Sequence, residues 1–294
     1  MTVDRCKAKV GMGLSGHQAP YSEIVMQRAS PAMRPVGDLL REWRRHRRLS
    51  QLQLAAEADI STRHLSFVES GRSHPSRDMI VHLSEYLDVP LRERNALLTA
   101  AGFAPIYAER ALEDPALNAV SQTIDLLLKG MEPYPALTVD RHWHLVASNQ
   151  ATLRLMAGVS QSLLQPPINV LRLSLHPAGL APRIRNLPQW RAHLLDRLRR
   201  QIDASHDAQL IELMRELQAL PCAPADPSEA PHVSAQIAVP LQLEVDGVLL
   251  SMLSTTTVFG TPMDITLAEL ALEAFVPADD ATAKHLVEMA RRSP

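Results

Sequence analysis

The sequence predicts a protein of two domains: an all-α domain of five short helices, followed by an α+β domain with a five-stranded antiparallel sheet. Three observations lead to this fold class. The length of 294 residues suits roughly two domains. Short amphipathic patterns fill residues 31–103, and β-prone runs around tight turns follow from residue 136. We place a flexible tail at 1–33, the first domain at 34–105 and the second at 106–294.

The first helix begins near Val36 and carries one apolar stripe. Its stripe residues recur at i, i+3, i+4 and i+7, and they are Val36, Leu39, Leu40 and Trp43. Five arginines between residues 41 and 48 fall mostly off this stripe. The pattern therefore predicts an amphipathic helix with a basic outer face and with Trp43 in the core.

Capping residues mark the helices that follow. Ser50 and Ser61 precede apolar-periodic segments and are suitable N-caps, and Pro75-Ser76 restarts the chain for a fourth helix. Gly71 ends the third helix, since glycine accepts a left-handed backbone at the C′ position. Only residues 59–60 separate the second helix from the third. A fifth helix ends at residue 101.

Hairpin and helix patterns define the second domain. The predicted elements are strands at 136–139 and 143–147, helices at 149–156 and 187–220, and strands at 237–245, 248–258 and 267–276. Asp246-Gly247 is the strongest short signal for a two-residue hairpin turn. The composition of 267–276 would also suit a helix, and we predict a strand. We expect helices to cover the sheet on one side.

The charge is distributed unevenly along the chain. The formal net charge of −2 argues against a generally basic, histone-like polyanion binder. Residues 31–103, however, hold eleven arginines against nine acidic residues, whereas residues 201–294 hold four basic against fourteen acidic residues. Aromatic content of 4% weakens an interpretation as a single-strand binder. A local basic surface for duplex DNA remains open.

Compartment signals are consistent with a cytoplasmic protein. Cys6 and Cys222 fit neither a metal-ligand spacing nor a disulfide framework, so we expect a reducing compartment and no structural metal. The first twenty residues lack the features of a secretory signal. No apolar stretch reaches the ~18 residues of a membrane-spanning helix, so we expect no membrane partner.

Two helices joined by a very short turn have the shape that enters a DNA major groove. First-turn side chains of the second helix reach base edges there, and an arginine can bind guanine bidentately. The residues that we assign to DNA contacts are Gln51, Ser61, Thr62, Arg63, His64, Ser66, Arg45 and Arg72. Tight helix pairs also occur in other all-α proteins, and the arginines could simply form a solvated face. Among the neighbours, we expect Arg44, Arg47 and Arg48 to include phosphate contacts, and Glu69 to be structural.

The amino-acid sequence of this segment resembles the XRE (phage-repressor and Cro-like) helix-turn-helix family. The matching residues are Leu49-Ser50-Gln51, Leu54-Ala55, Ile60-Ser61, Leu65-Ser66, Glu69-Ser70-Gly71-Arg72 and Pro75-Ser76. The continuation, STRHLS at 61–66 and LDVPLRERNALLTAAGFAP at 87–105, resembles the subfamily of MmyB-like transcription regulators. One position departs from the pattern, because Asp59 stands where glycine is usual. Aspartate tolerates a left-handed backbone better than most residues.

The subfamily resemblance implies a C-terminal ligand-binding domain of PAS-like fold and an apolar or fatty-acid-like ligand. Further matching residues are Asn149, Asn169-Val170-Leu171-Arg172, His176-Pro177, Arg183 and Trp190. Guanidinium pairs bidentately with carboxylate, so an arginine here could hold an acidic effector such as a fatty acid. The candidate ligand residues are Arg172, Arg183, Arg185 and His176. The alternative is that the arginines of 183–200 form a solvated helix face.

Catalysis is not expected. The sequence lacks a nucleophile elbow, a zinc-binding His-Glu-x-x-His helix, a phosphate-binding glycine loop and a dinucleotide fingerprint. We interpret His142 as a turn residue and His144 as a residue on a sheet face, and we expect no catalytic cofactor.

The function expected from these features is a ligand-responsive transcription regulator. Pairing two recognition helices across half-sites multiplies specificity, so we expect a homodimer on a palindromic double-stranded operator. The alternative is an antitoxin-like repressor whose C-terminal domain binds a protein partner instead of a small molecule.

Overall fold

The computed structural model of the chain describes residues 34–111, 114–222, 239–258 and 264–292. The tail predicted at 1–33 lies outside these residues. From Pro35 on, the chain belongs to one compact unit, in which a helical segment contacts an α+β segment. None of the helices in the described ranges is long and apolar enough to cross a membrane.

All five predicted N-terminal helices are present. They are α1 (Val36–His46), α2 (Gln51–Glu57), α3 (Thr62–Glu69), α4 (Arg77–Tyr86) and α5 (Leu91–Ala100). The hydroxyls of Ser50 and Ser61 each accept a hydrogen bond from a backbone N–H in the first turn, so both predicted caps are confirmed, and Ser76 caps α4 in the same way. Gly71 and Asp59 both adopt the left-handed backbone expected of them, with φ of +72° and +50°.

The apolar stripes of these helices meet in one core. Leu40, Leu54 and Leu65 are fully buried there, and Trp43 belongs to the same cluster as predicted. The crossing of α1 over α3 is close, because a Cβ on Gly37 would lie 2.4 Å from the carbonyl oxygen of Val68. Glycine is therefore required at this crossing.

The C-terminal part confirms the predicted α+β class with a five-stranded antiparallel sheet. Its elements are α6 (Asn118–Gly130), β1 (Ala136–Val139), β2 (Leu145–Ser148), α7 (Gln150–Leu155), α8 (Val170–Leu175), α9 (Leu187–Ser205), α10 (Ala208–Ala219), β3 (Leu241–Val245), β4 (Val248–Val258), α11 (Ile265–Ala268), β5 (Ala271–Pro277) and α12 (Asp280–Arg291). The strand order is β2-β1-β5-β4-β3, and all neighbours are antiparallel. Asp246 and Gly247 both have positive φ, as a tight hairpin turn requires.

Helices pack on both faces of this sheet, so the expectation of a single covered face is wrong. Leu137 faces the main cluster, which holds side chains of α8, α9 and α10. Successive strand residues point to opposite faces. Ala136 and Leu272 accordingly point to the other face, where they pack against Ile124 and Leu128 of α6.

Further details differ from the predicted elements, and the helices α6, α8 and α12 were not predicted. The helical stretch 187–220 is two helices, because His206 has a left-handed backbone with φ of +53° between α9 and α10. The final strand begins only at Ala271, since the residues before it form α11. The third strand begins at Leu241, and residues 237–238 of the prediction lie outside the described ranges. The predicted domain boundary at 105/106 falls between α5 and α6.

Candidate functional sites: a nucleic-acid interface and an apolar cavity

The start of α3 presents a polar surface to solvent. Ser61 and Arg63 are exposed there, and Thr62, His64 and Ser66 are half-buried. The hydroxyl of Ser61 accepts the backbone N–H of His64 at 3.1 Å, which fixes the first turn. These five assigned residues therefore lie together at one helix end, the geometry that base contacts in a major groove require.

Two of the assigned arginines converge beside this surface. The guanidinium groups of Arg63 and Arg72 lie over the ring of Phe67, at 5.3 and 5.9 Å from its centroid. Arg45 is exposed on α1. Within the described residues, no carboxylate lies within ion-pair distance of these three side chains, so their charges are available to an anionic partner.

Gln51 is placed differently from the other assigned residues. Its amide donates to the buried carboxylate of Glu69 at 2.8 Å, and Arg44 donates to the same carboxylate from Nε at 2.6 Å and from Nη2 at 2.8 Å. Burial raises the pKa of Glu69, but the hydrogen bonds from Arg44 and Gln51 outweigh it and hold that pKa below its ordinary value. Glu69 is structural, as expected, and a DNA contact of Gln51 stays a prediction.

Two arginines of the basic run bond to acceptors of the protein itself, and the buried one, Arg44, is not available to a phosphate. Arg44 is buried on Glu69. Arg47 donates to the carbonyl oxygens of Leu87 and Asp88 at 2.7 and 2.6 Å and so ties α1 to the end of α4. A periodic pattern separates apolar from polar positions, but it does not separate a solvated arginine from one that bonds to the domain's own acceptors.

An apolar cavity of about 80 Å³ lies in the C-terminal domain, between the sheet and the helices on its main face. Apolar side chains from both layers line it, and they include Leu137, Trp143, Leu155, Leu173, Trp190, Leu194, Leu243 and Phe275. Few polar groups border it, as is usual for sites that hold small apolar molecules.

Arg197 and Glu273 supply the charged groups of the cavity lining in the part of the chain that the structure describes. Nη1 of Arg197 donates to Glu273 Oε2 at 2.8 Å, and Nη2 donates to the other carboxylate oxygen. The guanidinium also lies 4.7 Å from the ring centroid of Trp143. Sequence reasoning missed this pair. Arg197 follows buried Trp190 and Leu194 at i+7 and i+3, so its place on the apolar stripe of α9 was the signal that could have found it.

The four predicted ligand residues lie outside this lining. Arg172 pairs bidentately with Glu216 at 2.6 and 2.7 Å, and Arg185 pairs with Glu244 at 2.8 Å. Arg183 donates to the carbonyl oxygen of Leu155. Nδ1 of His176 accepts the backbone N–H of Ala178 at 3.0 Å. Each of the four has a partner of its own, and their ligand role stays a prediction.

The β1–β2 turn gathers one group with metal-binding atoms. Asp140, His142 and His144 each place one such atom within 4.8 Å of the others. These atoms already have partners, since Nδ1 of His144 lies 3.0 Å from Asp140 Oδ2 and Nε2 of His142 lies 3.0 Å from Asp207 Oδ2. Nε of Arg141 lies 3.1 Å from the same His142 nitrogen, and its positive charge opposes a cation there.

Ion pairs join α5 of the helical domain to the C-terminal domain. Arg92 donates to both carboxylate oxygens of Glu269, at 2.8 and 2.9 Å, and Arg141 reaches the same carboxylate at 3.3 Å. The pairing raises the pKa of Arg92. A cleft of about 400 Å³ opens beside these residues. This group was also missed, because Arg92 and Glu269 are far apart in the sequence.

The cavity and this junction share a wall. The indole N–H of Trp143 donates to Gln201 Oε1 at 2.8 Å, and Nε2 of Gln201 donates to the carbonyl oxygen of Arg141 at 2.7 Å. Trp143, Arg197 and Glu273 line both the cavity and the cleft. Two hydrogen bonds, both through Gln201, therefore connect Trp143 to Arg141, which donates to Glu269.

Comparison with known families assigns both parts of the chain. Residues 40–94 match a helix-turn-helix family, and residues 120–289, more than half of the chain, match the family described as the MmyB-like transcription regulator ligand binding domain. Comparison with curated proteins gives no match. The helix pair, the five-stranded α+β domain and these two matches together show that the chain belongs to the MmyB-like transcription regulators, DNA-binding proteins with a C-terminal ligand-binding domain.

Proposed function

We propose that this regulator binds a palindromic double-stranded operator as a homodimer, and that a small apolar, fatty-acid-like effector changes its affinity for the operator. The effector occupies the cavity of the C-terminal domain, for which we propose a PAS-like fold. The observation that carries this proposal is the shared wall, because it connects an apolar cavity to the ion pairs on α5. We propose that the protein has no catalytic role and that it is cytoplasmic and nucleoid-associated.

The exposed first turn of α3 supports the DNA part of the proposal. Arg63 is the base-reading residue, Arg45 and Arg72 contact phosphate, and Ser61, Thr62, His64 and Ser66 add weaker contacts. One such helix reads few base pairs. Two copies spaced by about 34 Å, one turn of the duplex, reach equivalent grooves of a palindrome.

The effector part is supported by the composition of the cavity lining. Burial of an apolar ligand against tryptophan and leucine side chains stabilises the complex by roughly 25 cal/mol per Å² of apolar surface. A ligand that fills the cavity contacts Trp143 directly. An effector shifts the regulator between states only if it binds one of them more tightly, and the position of Trp143 is the difference that we propose it selects.

The test begins with full-length protein purified from its native cells. Denaturation followed by mass spectrometry should release a small apolar compound. Adding that compound back to stripped protein should change the affinity for a selected operator, measured by fluorescence anisotropy, and sedimentation should give two chains per palindrome. Repeatedly empty protein that binds the operator equally well with and without lipid extracts contradicts the effector role. A stoichiometric second protein that co-purifies would favour the antitoxin-like alternative.

A further inference from the structure

The only charged groups that line the apolar cavity, among the described residues, form a closed ion pair. Glu273 is 3% exposed, and both of its carboxylate oxygens accept hydrogen bonds from Arg197. Arg197 donates in addition to Thr256 Oγ1 at 2.6 Å. The polar end of the cavity therefore carries one positive and one negative charge that already neutralise each other.

This balance determines which head group can enter. A carboxylate that approaches Arg197 also approaches Glu273, and two like charges in a poorly solvated site disfavour each other. An ammonium group that approaches Glu273 is likewise repelled by the positive charge of Arg197. An uncharged group that both donates and accepts hydrogen bonds leaves the pair intact.

The pair retains bonding capacity for such a group. The bonds of Arg197 use its two terminal nitrogens, so its Nε–H remains a donor. Each carboxylate oxygen of Glu273 can accept more than one hydrogen bond. A hydroxyl or an amide can therefore donate to a carboxylate oxygen of Glu273, or accept from Nε of Arg197, without displacing either partner.

We propose that the effector carries an uncharged hydrogen-bonding head group, such as a hydroxyl, an amide or a protonated acid, which binds at the Arg197–Glu273 pair with its apolar tail in the cavity. This inference rests on the proposed function and narrows its ligand class. The cavity volume of about 80 Å³ limits the buried part to a short apolar tail, for which a hexyl chain is the probe.

The test uses four probes with the same tail: hexane, hexanol, hexanoate and hexylamine. Binding to the stripped full-length protein is followed by tryptophan fluorescence, since Trp143 and Trp190 line the cavity. We expect hexanol to bind at least about tenfold more tightly than either ion. Each ionic head group adds a charge to a pair that is already neutral, and no partner compensates that added charge.

The decisive variant is Glu273→Gln, which leaves the guanidinium of Arg197 without its counter-charge. Hexanoate should gain at least about tenfold relative to hexanol in this variant. The matched control is Glu216→Gln, which frees Arg172 in the same way outside the cavity lining and should leave the probe ratios unchanged.

If Glu273→Gln does not fold, the double variant Arg197→Met/Glu273→Leu replaces the pair by apolar groups, a change that folded proteins often tolerate. Hexanol should then bind about tenfold more weakly, whereas hexane binds unchanged.

Three outcomes overturn the inference. Hexanoate that binds the unaltered protein more tightly than hexanol places the head group elsewhere or shows that it is charged. An unchanged ratio of hexanoate to hexanol in folded Glu273→Gln does the same, while tail binding still supports an apolar effector site. If none of the probes, hexane included, binds the unaltered protein or the variants, the cavity is not the effector site, and the proposed function fails together with the inference.

Discussion

Glu69 shows how one buried side chain positions three helices of the helix-turn-helix domain. Its carboxylate accepts from Arg44 of α1 and from Gln51 of α2, while it belongs to α3 itself. Three helices therefore meet at a single charge. A buried carboxylate is costly unless its hydrogen bonds are complete, so this site tolerates little change.

Replacing this carboxylate should destabilise the protein. Glu69→Gln leaves the buried guanidinium of Arg44 uncompensated, and we expect the free energy of unfolding to fall by about 3 kcal/mol in urea denaturation. The pKa of Glu69 is lowered in the folded state, so its contribution is present above the ordinary glutamate pKa of about 4.3 and is lost as pH falls through the lower folded pKa. The acid limb of the stability profile should therefore flatten in the variant. Exposed Glu57→Gln on α2 is the control, and equal losses in both variants would contradict the structural role of Glu69.

Base reading and phosphate binding should separate at two exposed arginines. Arg63→Ala should weaken operator binding by about 1–3 kcal/mol and relax the base preference at one position of each half-site. Arg45→Ala should weaken binding to all duplexes alike and reduce the slope of log affinity against log salt by about one for each phosphate that it no longer neutralises. Fluorescence anisotropy on matched operator and scrambled duplexes, over a salt series, distinguishes the two. Sequence-independent losses in both variants would show that α3 is not the recognition helix.

At the scale of elements, the crossing of α1 over α3 depends on a glycine. Gly37→Ala would place a methyl group 2.4 Å from the carbonyl oxygen of Val68, and both atoms belong to rigid helices. We expect a loss of about 1–3 kcal/mol of stability in thermal or urea unfolding, from forced separation of the helices.

The control for this crossing is another helical glycine with open space around it. Gly130 is the last residue of α6, and a methyl group added there would meet no atom within 4 Å. Gly130→Ala should therefore leave stability unchanged or raise it slightly. A Gly37→Ala protein as stable as Gly130→Ala would show that α1 can shift without cost.

Local signals decided which elements could be predicted from the sequence. Serine caps and the Asp246-Gly247 turn act within four residues, and these features match the structure. The break at His206 was missed because the apolar pattern continues from α9 into α10. Local signals were nevertheless present, since histidine is among the residues enriched in a left-handed backbone and Asp207 caps α10 by accepting the backbone N–H of Gln209. The position of α6 on the second sheet face also depends on tertiary packing, since its own pattern only shows that one stripe is buried.

The two candidate sites also differ in whether a local signal in the sequence marks them. Five of the residues proposed for DNA contact lie at the start of α3, so a single sequence window contains them. The cavity residues come from β1, from the α7–α9 region and from strands near residues 243 and 273, so no sequence window contains them. The predicted ligand arginines satisfied a local chemical rule, but their carboxylate partners Glu216 and Glu244 lie on distant elements.

At the scale of the whole molecule, two histidines meet where the helical and C-terminal domains touch. The ring centroids of His46 on α1 and His206 lie 3.4 Å apart. Burial lowers the pKa of His46, and the charges of His206 and Arg47 lower it further, against an opposing effect of Glu42. A lowered histidine pKa means that the unfolded chain takes up the proton first, so folded stability is lost as pH falls below the ordinary histidine pKa of about 6.5.

This contact should make stability depend on mildly acidic pH. The melting temperature of the unaltered protein should fall more steeply between pH values of about 6.5 and 5 than that of His46→Gln, because the variant has no proton to take up. His285→Gln on α12 is the control and should follow the unaltered protein. If the melting temperature depends on pH in the same way in all three proteins, His46 is not the origin of the pH dependence.

The ion pairs of Arg92 should transmit effector binding to the DNA-binding helices. Arg92 is the residue of α5 that bonds both Glu269 and Glu109, and Glu269 also accepts from Arg141, whose carbonyl oxygen is bonded through Gln201 to the cavity wall. Effectors commonly change affinity at a second site by about 5–150-fold. In Arg92→Ala we expect this factor to fall toward one, while the variant still binds operator and still binds effector.

The measurement is a complete linkage cycle, with operator affinity at zero and saturating effector and effector affinity with and without operator. Arg200→Ala removes an exposed arginine of α9 that pairs with Asp196 of the same helix, and it should keep the full factor. Coupling is reciprocal, so both halves of the cycle must give the same factor for each protein. An undiminished factor in Arg92→Ala would show that the signal reaches the recognition helix by another contact. A loss of operator binding without effector would assign Arg92 to the stability of the helical domain instead.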